Sequence, residues 1–203
     1  MADVPLSVCP FSLQGRWRTY TPEDGLAGLH VEHIAEDREG CLWFATHSGG
    51  LSRFDGDAFR TFTVQDGLTS DLVATLLLDR RGRLWCGTAA GVCWYEDGVF
   101  GRLPFESWCH YPTSTFLLED SRGRIWWGGG ENLGYVASGE RRDLSAAYEA
   151  VCGRRPQMCW GMAEDTDGGV DTITALTGYD IVLGGHGGDT LTVSLITADS
   201  PAD

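Results

Sequence analysis

A segment of about forty residues returns along this chain, and that repeat restricts the fold more than any other feature. Asp-x-x-Gly-x-(Leu/Ile)-Trp begins at Asp37, Asp79 and Asp120, so the steps are 42 and 41 residues. Trp43, Trp85 and Trp126 keep the same steps. A fourth start, Met162 to Gly168, places Asp165 45 residues after Asp120. Asp24-Gly-Leu26 recurs as Asp66-Gly-Leu68, again 42 residues on. Such periods are those of repeat architectures whose units bury their apolar faces only against one another.

Within a unit the local chemistry predicts four short strands. Val31 to Asp37 alternates apolar positions and reads as the first. Asp37 to Gly40 reads as a tight turn, with the Asp side chain capping backbone N–H groups and glycine at its last position. Leu42 to Thr46 is the second strand, with Trp43 as its large buried residue. Gly49 and Gly50 turn the chain into Leu51 to Phe54, and Asp55 to Asp57 turn it into Phe59 to Val64. No unit shows a 3.6-residue apolar period, which sets helical solenoids aside. Four antiparallel strands per repeat describe a β-propeller blade.

The repeat with its Asp-Gly-Leu lead-in resembles the two-component regulator propeller repeat family over about residues 17–168. The match is strongest in the first two units and confined in the third to Asp120 to Gly128, because Pro104 to Pro112 departs from the linker. The resemblance implies an extracytoplasmic sensor propeller, with the loops between second and third strands and those between blades on one face. Loops on a rigid scaffold are where binding residues concentrate. Asp24, Gly25, His47, Asp66 and Gly67 are therefore the candidate ligand-binding residues, for a small molecule or a protein. No kinase dimerisation helix, ATP-binding domain or receiver is recognisable in the sequence.

After Asp165 the pattern loses its Trp: Asp171 stands where the repeat requires it. The expected fold is all-β, an incomplete, open propeller of three four-stranded blades plus part of a fourth, followed by a short Gly/Asp-rich β tail. The divisions are an extension at 1–16, blades at 17–58, 59–100 and 101–139, a broken fourth at 140–169, a tail at 170–198 and an end at 199–203. An open array exposes strand edges that can pair with another copy. In the tail, Asp171, Asp180 and Asp189 fall nine residues apart, and Gly184 to Thr192 resembles the RTX calcium nonapeptide. That resemblance implies Ca²⁺ held by Asp180 and Asp189 with turns at Gly178, Gly185 and Gly187. A degenerate turn pattern without a metal is the alternative.

Composition narrows the function. The net charge of −14 argues against nucleic acid, whose recognition needs clustered Lys and Arg. No apolar run approaches the ~20 residues of a membrane-spanning helix, and no signal peptide is visible at the N-terminus. Seven cysteines at scattered repeat positions read as small buried side chains or free thiols. They lean toward a reducing compartment, against the periplasmic or extracellular site that the resemblance implies.

Trp43, Trp85 and Trp126 read as core between blades. Asp37, Asp79 and Asp120 read as turn residues, since a catalytic carboxylate would belong to one place and not be copied per blade. His30 and His33 fall on opposite faces of a strand, and His47 and His110 have no partner at ligand spacing. No nucleophile elbow, Walker loop or His-Glu-x-x-His occurs. The reading is a non-enzymatic sensing or interaction module, part of a larger sensor. A calcium-binding repeat protein and a propeller enzyme are the alternatives.

Overall fold

The computed structural model describes residues 18–103, 116–129, 132–153, 161–164, 170–176, 179–184 and 192–197. Three four-stranded antiparallel meanders carry the repeat. The first is β1 (Val31–Glu36), β2 (Leu42–Thr46), β3 (Leu51–Phe54) and β4 (Phe59–Phe62). The second is β5 (Val73–Leu78), β6 (Leu84–Thr88), β7 (Gly91–Glu96) and β8 (Val99–Arg102). The third is β9 (Phe116–Glu119), β10 (Ile125–Gly129), β11 (Asn132–Ala137) and β12 (Glu140–Asp143). β4 thus belongs to the first sheet, although a repeat boundary at 58 separates it.

Helix α1 (Ser145–Cys152) follows β12, an element the repeat does not predict. Its Ala-rich run favours helix, Asp143 Oδ1 accepts the Ser145 N–H at 2.9 Å, and Tyr148 is buried. Beyond it, β13 (Gly161–Glu164) pairs with β14 (Val170–Leu176), then β15 (Tyr179–Gly184) and β16 (Thr192–Thr197), in a further antiparallel sheet. The tail strands therefore join the first strand of the fourth unit in one meander. Antiparallel pairing of β14 with β15 and of β15 with β16 differs from the successive coils of the RTX resemblance.

The blades stack through their inner strands, β1 on β5, β5 on β9 and β9 on β13. The arc is open: among the described residues no such packing of inner strands brings β13 back onto β1. Alternation along each strand supplies the two faces that stacking needs. Trp43 and Phe62 leave the first blade to pack on Leu76, Leu84, Cys86 and Cys93 of the second. Trp85 and Val92, on the other face of that sheet, pack on Ile125, Trp127 and Val136 of the third. Cys86 and Cys93 lie opposite each other in β6 and β7. They and Cys41 are buried free thiols, as the scattered placement of the cysteines implies.

Polar ties accompany the apolar ones. Glu119 Oε2 accepts the Arg80 N–H at 2.8 Å, and Glu164 Oε2 accepts the Ser121 N–H at 2.7 Å. Each Glu directly precedes a repeat Asp and holds the Asp-x-x-Gly turn of the blade before. β13 meets the third blade in the way β9 meets the second; the expected fourth turn, Asp165 to Gly168, lies outside the described residues.

Candidate functional site

The Asp of each turn does more than cap backbone. Asp37 Oδ1 accepts the Glu39 and Cys41 N–H groups at 2.9 Å each, while Oδ2 accepts the Trp43 indole N–H at 2.8 Å. Asp79 repeats the arrangement with Arg81, Arg83 and Trp85, and Asp120 with Arg122, Arg124 and Trp126. A buried indole N–H and two turn N–H groups thus share one carboxylate. Burial works against ionisation at Asp37. The hydrogen bonds from Trp43, Cys41, Arg53 and Glu39 outweigh it and hold the carboxyl below its usual range. Asp120 is lowered in the same way, burial being outweighed by Trp126 and Arg124.

A guanidinium lies beside the repeat Trp of each blade; Arg53 and Arg124 also reach the repeat Asp, whereas Arg83 pairs with Glu96. Arg53 on β3 reaches Asp37 in the first blade and lies 5.6 Å from the Trp43 ring. In the second and third, Arg83 and Arg124 come from the turn and lie 5.6 and 5.0 Å from Trp85 and Trp126. Cys41 occupies that turn position in the first blade. Across from Trp85 and Trp126, where Trp43 faces Arg53, stand Trp94 and Tyr135. In all three blades the repeat Asp thus holds the repeat Trp indole and its own turn.

Asp24 and Asp66 end 3₁₀ turns at Pro22–Asp24 and Val64–Asp66. Asp24 Oδ2 accepts the Thr21 N–H and hydroxyl at 2.9 and 3.1 Å; Asp66 Oδ2 accepts those of Thr63 at 2.9 and 3.2 Å. Gly67 has φ 103° and would bring a Cβ to 3.3 Å from Phe100 Cβ, so the linker needs glycine both for its backbone and for its seat on β8. Gly25 sits likewise against Phe59. Leu26 and Leu68 then bury their side chains. Around the second linker, Val64, Gly67, Leu68, Thr69, Ala90, Arg102 and Leu103 line a cleft of about 520 Å³.

His47 has a partner that spacing along the sequence did not reveal. Pairing of Val31 with Thr46 brings the start of β1 beside the end of β2, and the His47 N–H donates to the His30 carbonyl at 2.9 Å. The register then shifts between Val31 and His33, leaving Glu32 as the extra residue of a β-bulge, a device that re-aims a side chain. Glu32 Oε1 lies 2.8 Å from His47 Nδ1 and 3.9 Å from His30 Nε2. The two imidazoles stack with centroids 5.2 Å apart. The expectation that His47 stands without a partner is corrected by strand register. His33 is placed elsewhere: its Nδ1 accepts the Leu76 N–H at 3.0 Å and ties β1 to β5.

The second blade repeats this backbone without its chemistry. Ala89 N–H donates to the Leu72 carbonyl, and the same bulge falls at Ala74. Leu72, Ala74 and Ala89 thus stand where His30, Glu32 and His47 stand. Of the calcium candidates, Gly178, Gly185, Gly187 and Asp189 lie outside the described residues. Asp180 lies on β15, opposite Ala175 and Ile196.

Comparison with known proteins agrees with the repeat and the fold. Residues 25–48, the linker and first two strands of the first blade, match the family model described as two component regulator propeller. No curated protein matches the sequence. Among solved structures, one similar chain is described as the extracellular domain of a hybrid two component system from B. thetaiotaomicron. It matches with a TM-score of 0.60 at 19% identity, over 77% of this chain and 22% of that one. A second, the extracellular domain of a one component system from the same organism, gives 0.63 at 20% identity over 84% and 22%. A streptogramin B lyase gives 0.61 at 15% identity over 84% and 55%. At these identities the likeness is one of fold, and the chain spans about a fifth of the sensor domains. No helix among the described residues is long and apolar enough to cross a membrane.

Proposed function

We propose that this chain is a non-enzymatic sensing or interaction module of the two-component regulator propeller kind, working outside the cytoplasm as part of a larger sensor. The observation that carries this reading is the cleft lined by Val64, Gly67 to Thr69, Ala90 and Arg102–Leu103. It opens where two loops expected to bind, the Asp-Gly-Leu linker and the turn between second and third strands, come together. The carboxylates that recur with the repeat are committed to indole and backbone donors, which supports a scaffold over an acid/base centre. Extracellular sensor domains among the similar folds support the compartment.

Ala90 is exposed at the rim of the cleft, so Ala90→Trp fills the opening without touching the core. A thermal-shift screen of neutral and carboxylated small solutes against the parent should yield ligands whose stabilisation disappears in Ala90→Trp. Ligands that stabilise both proteins equally would remove the cleft from the proposal. Release of a chemically altered product from any of them would favour an enzyme.

A further inference from the structure

We infer that His30, Glu32 and His47 form a binding site for a divalent late first-row transition ion, of which Zn²⁺ and Co²⁺ are representative. Their ligand atoms all lie within 4.8 Å of one another. Ligands on a tetrahedral ion at ~2.0–2.1 Å stand about 3.3 Å apart, and the separations of 2.8 and 3.9 Å to Glu32 Oε1 bracket that value. Two imidazoles and one carboxylate suit zinc and its neighbours better than calcium or magnesium, which prefer oxygen throughout.

Exposure supports an open site. The side chains of His30, His47 and Glu32 are 72%, 42% and 24% exposed, so the rings can turn onto an ion and a fourth position faces solvent. Three protein ligands with one position open is the arrangement that admits a water or an incoming donor group. The site also belongs to one place in the repeat. The same bulge and the same backbone hydrogen bond occur in the second blade with Leu72, Ala74 and Ala89, so the blade itself has no need of histidine or glutamate there.

A second group of potential ligands, Asp37, Glu39 and Cys41, does not meet these conditions. Asp37 is fully engaged by Trp43, Arg53 and two N–H groups. The Arg53 guanidinium, paired with Asp37 and Glu39, already supplies the positive charge. Burial also pushes the Cys41 thiol up, away from the thiolate a metal needs.

Titration of the reduced, full chain with Co²⁺, followed by absorption, tests the assignment. The expected result is one ion per chain whose ligand-field bands come without a thiolate charge-transfer band, displaced by Zn²⁺. Glu32→Gln and His47→Ala should each weaken it more than about 100-fold, since even outer-shell partners of a metal ligand are worth about 10–100-fold. Cys41→Ser should leave it unchanged. A circular dichroism spectrum like the parent's confirms that the variants fold. Binding that survives both variants, binding with a thiolate band, or no Co²⁺ binding at all would each overturn the site.

Discussion

Replacing Asp120 by asparagine keeps the shape of a side chain with no exposed surface and removes its charge. The carboxylate uses both oxygens: Oδ1 accepts the Arg122 and Arg124 N–H groups at 3.0 and 2.8 Å, and Oδ2 accepts Trp126 Nε1 at 2.8 Å and the Arg124 side chain. Asparagine offers one acceptor oxygen. If it faces the turn, its NH₂ confronts the indole N–H and the guanidinium; if it flips, the two turn N–H groups lose their acceptor. Either way two donors are stranded, in bonds to a charged group worth about 1.5–3 kcal/mol each. The expected loss is about 3–5 kcal/mol, the range for removing one partner of a buried pair, against a typical domain stability of about 5–15 kcal/mol. Urea unfolding followed by tryptophan fluorescence measures the loss, and hydrogen exchange should show it first in 116–143, because repeat units unfold locally. Asp57→Asn, at an exposed turn, serves as the control. An Asp120→Asn protein within about 0.5 kcal/mol of that control, the spread of ordinary surface changes, would refute the idea that the shared carboxylate holds the blade.

Acid should weaken the fold through the same groups. Asp37, Asp120 and Asp143 have carboxyls lowered from 3.8. Their contribution is present above the unfolded value near 3.8 and is lost as pH falls through the folded values; urea midpoints measured below pH 4 should drop steeply, and less so in Asp120→Asn. Gly101→Ala would place a Cβ 2.3 Å from the Trp94 ring, and the overpacking should cost about 1–3 kcal/mol by chemical denaturation. Arg53→Trp should destabilise the first blade by stripping Asp37 of its guanidinium. Adding Cys41→Arg supplies a guanidinium from the turn position that Arg124 uses to reach Asp120 in the third blade and should recover at least about 1 kcal/mol, within the range of coupling between contacting residues, as a double-mutant cycle would show.

Turns and period made most of the fold legible. Leu42 to Thr46 and Leu51 to Phe54 are strands with the limits that their flanking Gly and Asp residues set, because those residues decide locally where the chain can bend. Trp43 was legible as core from its spacing. Its hydrogen bond to Asp37 was not, because periodicity marks which residues recur and says nothing of which recurring residues touch. The cluster around Glu32 was hidden for another reason. His47 meets Glu32 only through the register of β1 on β2 and the one-residue bulge between Val31 and His33, and a repeat pattern encodes neither. Helix α1 escaped because it lies between units, where the repeat imposes no residue types. The joining of β14 to β16 onto β13 escaped because the missing Trp signals a lost core residue, while the backbone pairing of a meander needs no particular side chain.

The openness of the arc makes stability depend on position. A blade with a neighbour on both sides has two interfaces to lose before it unfolds; among the described residues the first blade, with β5 packed on one side of β1, has one. In a linear array of coupled units, fraying starts where coupling is single and runs inward until the gain in chain entropy is checked by the next interface. Amide protection should then rise from β1–β4 to β5–β8, a gradient that a closed ring, having no first unit, would not show. His33 and the Trp43–Phe62 stack, which join the first blade to the second, set how deep that fraying reaches.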